Sequence, residues 1–123
     1  MYRSFKEMPI WRNSMAIAKM IFDITKTLPS KEDYGLTSQI RRSALSISAN
    51  IAEAYGRKHT FDKINFYNFA RGSITETQSH LEYGIQVGYF DKKAVKEVDV
   101  LLSDCYSSLN KITYSLKNSA RSA

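Results

Sequence analysis

One stretch, residues 36–56 (LTSQIRRSALSISANIAEAYG), limits the possible folds more than any other part of the chain. Leu36, Ile40, Ala44, Ile47, Ile51 and Ala54 recur at steps of three or four residues. At about 100° per residue they fall on one narrow helical stripe, whereas a half-buried strand would need strict alternation. Thr37 is expected to cap the helix, because its hydroxyl can accept from an orphan backbone N–H one turn on. Gly56 stands where a left-handed residue closes a helix. The pattern predicts a helix over 37–55 with one core face.

The other faces of this helix are less ordinary. Leu45, Ala49, Ala52 and Gly56 line its back. A solvated back is usually rich in Lys and Glu. Small apolar residues point instead to a second close contact, with another helix or another subunit, or to Ala used simply as a strong helix former. Gln39, Arg42, Ser46, Asn50, Glu53 and Arg57 form a polar flank. Ser and Asn are poor interior helix residues. The flank therefore reads either as a buried polar network that fixes register, or as wet surface. A network would join Gln39, Arg42, Asn50 and Glu53 to Arg71 and Glu76 of a later helix.

Three more helices follow from the same spacing rule. One is expected over 8–27, with Pro9 in its first turn, where a missing N–H costs nothing. Ile10, Ser14, Ile17, Ala18, Ile21, Ile24, Thr25 and Leu28 make its stripe, and Trp11, Met15 and Phe22 widen it. Another is expected over 60–87, capped by Thr60. Its face, Phe66, Ala70, Ser73, Thr77, Leu81 and Gly84, has four small members, which let helix backbones approach closely; Ser43 and Ala44 are the matching positions. A last helix over 91–117, capped by Asp91, carries Ala94, Val98, Leu101, Leu102, Cys105, Leu109, Ile112 and Leu116. Residues 117–123 are small and polar and are expected to fray. Four helices joined by short links predict an all-α, up-down-up-down four-helix bundle over residues 1–123, a single domain.

Composition narrows the function. The chain has 123 residues and 43% apolar content, enough for one core. Cys105 is alone, so no internal disulfide can form; that and the absence of an apolar leader lead us to expect a reducing, cytoplasmic setting. No apolar run is long enough to cross a membrane. The net charge is +6. Residues 1–58 hold ten Lys/Arg against five Asp/Glu, and residues 59–123 eight against seven. A basic half suggests a polyanion such as RNA, or an acidic protein surface.

Catalytic chemistry finds no foothold. Di-metal bundles need inward Glu residues and two Glu-x-x-His pairs; here Glu76 and His80 make a single pair four residues apart, and Glu53 has no histidine partner. His59 and His80 lack a nucleophile signature, and no Gly-rich phosphate loop is present. The chain is expected not to be an enzyme and to need no metal, cofactor or small-molecule substrate.

Three segments, QIRRSALSISANIAEAYGR at 39–57, FARGSITE at 69–76 and LPSKEDYGLT at 28–37, resemble one known group. It is the small, ribosomal-protein-like four-helix bundle proteins encoded in intervening sequences of bacterial 23S rRNA genes, and also in free-standing chromosomal genes. The resemblance spans nearly the whole chain. It departs at Ser48, where members often carry Pro, and at Ala54, where they often carry Gly; any role needing glycine's freedom at 54 is not carried over. The resemblance implies a ring-like homopentamer whose basic surface or pore could hold nucleic acid. Accessory proteins of diversity-generating retroelements share this plan and work beside a reverse transcriptase and its RNA.

These lines converge on a self-associating bundle that contacts RNA or a ribonucleoprotein. Trp11, Met15, Phe22, Leu45, Ala49 and Ala52 are the expected oligomer interface. Arg12, Lys19, Arg41, Arg42, Arg57 and Lys58 are the expected phosphate contacts, with Arg41 and Arg42 equally open to the buried network. The alternative is a protein–protein adaptor that binds no nucleic acid.

Overall fold

The computed structural model describes residues 1–122 and contains four long helices. They are α1 (Pro9–Ile24), α2 (Leu36–Gly56), α3 (Thr60–Gln86) and α4 (Lys92–Ser122). Each packs against its neighbours in sequence, and α4 closes on α1, giving an antiparallel four-helix bundle. Short 3-10 turns at Phe5–Glu7, Thr25–Thr27 and Ser30–Glu32 fill the leader and the first link. None of the four helices is long and apolar enough to cross a membrane.

The core is the stripe read from the sequence. Ile40, Ala44, Ile47, Ile51 and Ala54 are wholly buried, as are Ile17, Ile21, Ile74, Leu102 and Leu109 from the other three helices. Burying an aliphatic side chain of this size contributes about 1.5–3 kcal/mol, so α2 has a single favourable orientation. Leu101 is the exception in the α4 stripe: it is exposed. Cys105 is buried and free, and burial pushes its thiol up to about 11, which leaves it an inert apolar filler. The small positions on α2 and α3 meet as expected. Ser43 Oγ and Thr77 Oγ1 lie 2.8 Å apart in the buried seam between them.

Helix ends differ from the sequence reading, each for a local reason. Thr37 is not the cap of α2. The helix starts one residue earlier, and the Glu32 carboxylate accepts from the Leu36 amide at 3.2 Å, reaching in from the preceding link. Thr37 is turned into the core, where its Oγ1 has no hydrogen-bond partner. Gly56 does not close α2 in a left-handed conformation; it is the last helical residue, and Arg57 leaves extended. Lys63 instead satisfies the orphan carbonyls, its Nζ donating to Ala54 O and Tyr55 O at 3.1 Å. Thr60 lies inside α3 and His59 precedes it without a side-chain cap. Asp91 does cap α4, accepting from the Ala94 amide. The first helix stops at Ile24 because Leu28 must be extended ahead of Pro29. Beyond Lys117, α4 continues to Ser122, and Ala123 lies outside the described residues.

The left-handed glycine sits at the other turn. Gly88 has φ +85°, and it ends α3 in a Schellman motif: Gly88 N donates to Ile85 O and Tyr89 N to Gly84 O. The Phe90 ring then folds back over Gly84, where a Cβ would collide with it. Beside this turn the Tyr89 hydroxyl donates to Glu32 Oε2 at 2.8 Å, joining the α3–α4 link to the α1–α2 link. The Tyr89 hydrogen bond, then the Leu36 amide, hold the Glu32 carboxyl below its ordinary value; the same carboxylate raises the Tyr89 phenol.

Two measurements check these ends. Gly84→Ala should lower stability by about 1–3 kcal/mol through overpacking against Phe90, whereas Gly72→Ala, with open space around its α3 position, should raise it by about 0.5–1 kcal/mol. Equal effects in denaturant melts would contradict the Phe90 contact. The Glu32–Tyr89 bond is a pH test. A depressed carboxyl stabilises above its unfolded value of about 4.3 and loses this as pH falls through the folded value; the raised phenol stabilises below about 10 and loses this as pH rises. The Tm gap between the parent and Tyr89→Phe should therefore be widest near neutrality and close toward both extremes.

Candidate functional site

The polar flank of α2 does not form a network with α3. Glu53 pairs with Arg57 on its own helix at 3.2 Å, and Arg57 lies over the Phe66 ring at 4.5 Å. Asn50 donates to Ser46 O and Ser46 to Arg42 O, both within α2. Gln39 and Arg42 are exposed. On α3, Glu76 faces His80 at 3.4 Å, while the Arg71 guanidinium turns toward α4 and lies over Tyr106 at 5.4 Å. Gln39, Arg42, Glu53 and Glu76 are exposed and can be hydrated, so nothing forces them to pair across the seam, while Arg71 Nε is buried without a hydrogen-bond partner. Register is held by the small hydroxyls Ser43 and Thr77 instead. Among the described residues no three His, Cys, Asp or Glu side chains converge on a point.

The six cations proposed as phosphate contacts do not form one site. Arg12 and the Arg57–Lys58 pair lie at the end of the bundle where the leader, the α2–α3 link and the last part of α4 meet. This is the leader end, and the Tyr55 hydroxyl fastens it by donating to Tyr2 O at 2.9 Å. Arg41 and Arg42 lie toward the opposite end, and Lys19 lies between, on α1. Their side chains are also not equally free. Arg12 Nε donates to Lys6 O at 2.8 Å. Arg41 is a structural clamp: its Nε donates to Thr25 Oγ1 at 2.8 Å and its guanidinium covers the Phe22 ring at 4.5 Å. Lys19, Arg42 and Lys58 are exposed and make no ion pair among the described residues.

Sorting charge by bundle end reveals what sorting by chain half conceals. Residues 1–12, 53–63 and 108–117 meet at the leader end and hold Arg3, Lys6, Arg12, Arg57, Lys58, Lys63, Lys111 and Lys117 against Glu7, Glu53 and Asp62. Residues 23–42 and 82–99 meet at the opposite end and hold seven basic against seven acidic residues. The excess positive charge is thus concentrated at one end, and Lys111 and Lys117 were invisible to a reading that called the second half of the chain near-neutral. A basic concavity of this kind raises the local concentration of polyanions.

A second surface runs along the side of the bundle where α1 and α2 lie together. Phe22 is 50% exposed and Leu45 56% exposed, with Ala49 exposed and Met15 and Ala52 half-buried. Arg41 fixes the alignment, because it reaches from α2 onto Phe22 of α1 one helical turn from Leu45. Trp11 is likewise half-buried, with Phe5 of the leader packed edge-on against it at 5.1 Å. The sequence reading also missed Phe61 and Phe69, exposed rings on α3; the second lies in the segment 69–76.

Residues 6–111 match the family model described as 23S rRNA-intervening sequence protein. The chain is similar to a crystal structure from Bacteroides thetaiotaomicron, a protein of unknown function from the S23 ribosomal protein family. The two are 27% identical with a TM-score of 0.78, over 85% of this chain and 97% of that one. No curated protein matches the chain by sequence.

Proposed function

We propose that this chain, which belongs to the family of 23S rRNA-intervening sequence proteins, is a non-enzymatic bundle that associates with copies of itself and contacts RNA through its leader end. The observation that carries the RNA reading is the charge asymmetry, eight basic against three acidic residues at one end and balance at the other. Lysines and arginines there neutralise phosphates without reading base sequence, so binding falls steeply with salt. Self-association rests on the α1–α2 face, where Phe22, Leu45 and Ala49 are exposed together. A ring of five copies is the arrangement that the family resemblance suggests, and side-by-side packing of such a face is compatible with it.

The alternative, an adaptor for an acidic protein, draws on Phe61 and Phe69. Exposed aromatic rings on the helix that also carries Lys63 suit a protein partner as well as they suit RNA.

Light scattering on the purified protein should give a mass several times 14.1 kDa, and Leu45→Glu should reduce it to that of one chain with the helical content retained. A parent protein that runs as a single chain ends the assembly reading. Structured RNA should be retained at low salt. Arg57→Glu/Lys58→Glu should weaken it at least about tenfold and reduce the salt slope by about 2, while Arg41→Ala should lower Tm with little change in RNA affinity. RNA affinity untouched by the double charge reversal, or recovery of one acidic protein and no RNA in a pull-down, would favour the adaptor.

A further inference from the structure

A cleft of about 470 Å³ opens at the leader end, between the start of α1, Tyr67 of α3 and the far part of α4. Its size is that of a small-molecule site. Met8, Pro9 and Ile112 give it apolar walls. Its polar groups are few. Tyr67 is only 5% exposed, lines the cleft and has no hydrogen-bond partner for its hydroxyl among the described residues. Burial raises the Tyr67 phenol, so it stays a neutral donor and acceptor. Asn13 and Ser108 stand at the rim with their side chains unbonded, and Lys111 is the cleft's one charged residue. The start of α1 adds a backbone donor. Met8 supplies no side-chain cap, Pro9 has no N–H, and no group of the chain accepts from the Ile10 amide.

We propose that this cleft receives one unpaired nucleotide of an RNA, with the base between the apolar walls, its edge on Tyr67, Asn13 and Ser108, and its phosphate against Lys111 and the start of α1. The proposal rests on the RNA reading above and names what the basic end holds. Three features select this occupant. A nucleobase has apolar faces and an edge of alternating donors and acceptors, which hydroxyls and a carboxamide can both match. A carboxylate-headed lipid would leave the acceptor sides of Asn13 and Ser108 unused. One lysine and a free amide at a helix start, with no acidic residue in the lining, suit a single phosphate. The cleft also lies at the cationic end of the bundle, with Lys111 in its lining, so a strand held there by its backbone passes the opening. Duplex RNA cannot offer a base in this way, because its bases are stacked and paired; single-stranded loops can.

The test uses the full chain. AMP, GMP, CMP and UMP are titrated into ¹⁵N-labelled protein at low salt, up to about 10 mM, well above the roughly millimolar Kd that a few contacts provide. Saturable shifts should centre on the Ile10 and Asn13 amides. Ser108→Trp fills the cleft from an exposed position; it should weaken a short single-stranded RNA by about tenfold or more, the worth of one stacked base, and change a blunt duplex by less than about twofold. Tyr67→Phe should weaken the single strand by about threefold, one neutral hydrogen bond. The idea fails if no mononucleotide shifts these amides, or if Ser108→Trp binds the single strand as well as the parent does. Should Ser108→Trp not fold, the mononucleotide titration of the parent still decides. RNA held at the basic end with silent mononucleotides removes the cleft and leaves the phosphate-contact reading standing; mononucleotide shifts at Ile10 and Asn13 without any RNA binding do the reverse.

Discussion

The bundle depends on how closely α2 and α3 approach. At the seam, Ser43 and Thr77 bring two hydroxyls to 2.8 Å with no larger side chain between them. Two hydroxyls carry two protons. One bridges the helices while the other is donated to its own helix, toward Ile40 O or Ser73 O, so neither oxygen is left stranded in the core. A bulkier residue at either position would push the helices apart and open voids under Ile47, Ile51 and Ile74, which are wholly buried. With this spacing set, the isoleucine stripe of α2 can face inward along its whole length. That leaves α1 and α4 to close the square on the remaining sides. It also leaves the back of α2 pointing outward with small apolar residues, which is why the same helix supplies both the core and the exposed side face.

An antiparallel bundle rearranges charge that looks evenly scattered in the sequence. Up-down-up-down topology brings the first, middle and last segments together at one end and the two longer links together at the other. Lys111 and Arg12 are distant in sequence, yet both help to make the leader end basic. At the opposite end cations and anions are balanced, and there the charges serve structure. Glu32 caps α2 and receives Tyr89, and Arg41 clamps Thr25 and Phe22. An arginine whose guanidinium already covers an aromatic ring and donates to a threonine has little left for a phosphate.

What was legible in the sequence follows from this. Helix existence and core faces depend on periodicity, a property of each segment alone; four helices and nearly every stripe residue were therefore readable, Leu101 excepted. Helix ends depend on groups from outside the segment. Glu32 reached back to Leu36 and Lys63 reached back to Ala54, and these displaced the roles that Thr37 and Gly56 would have filled locally. The Schellman turn at Gly88 had a readable signal, a glycine followed by two aromatic residues, but Gly56 was taken as the conspicuous stop. The expected network between Arg42, Glu53, Arg71 and Glu76 does not form, because spacing reports which residues share a face and says nothing about which way a long side chain turns: Glu53 pairs with Arg57 on its own helix and Arg71 lies over Tyr106 of α4. Of the residues expected at an interface, Phe22, Leu45 and Ala49 are exposed and Trp11, Met15 and Ala52 are half-buried, Trp11 through a contact with Phe5 that no periodicity encodes.

The apolar side face and the basic end are placed at right angles, and this geometry links the two halves of the proposed function. A face that runs along the bundle axis can be covered by a neighbouring copy lying alongside. In a closed cyclic assembly the symmetry axis then runs roughly along the bundles, and every leader end points the same way. One chain's excess charge at that end is small, and any hold it had on a phosphate backbone would be correspondingly weak and salt-sensitive. Several copies on one rim would present the same cations at a fixed spacing, so that contact by one would raise the effective concentration of RNA at the next. The clefts would lie on the same rim, each beside its own group of cations. In the assembly proposed here, a weak, sequence-neutral backbone contact and a single-base pocket would reinforce one another only where the RNA offers an unpaired stretch long enough to pass several copies, and the side face, remote from any phosphate, would then govern RNA affinity.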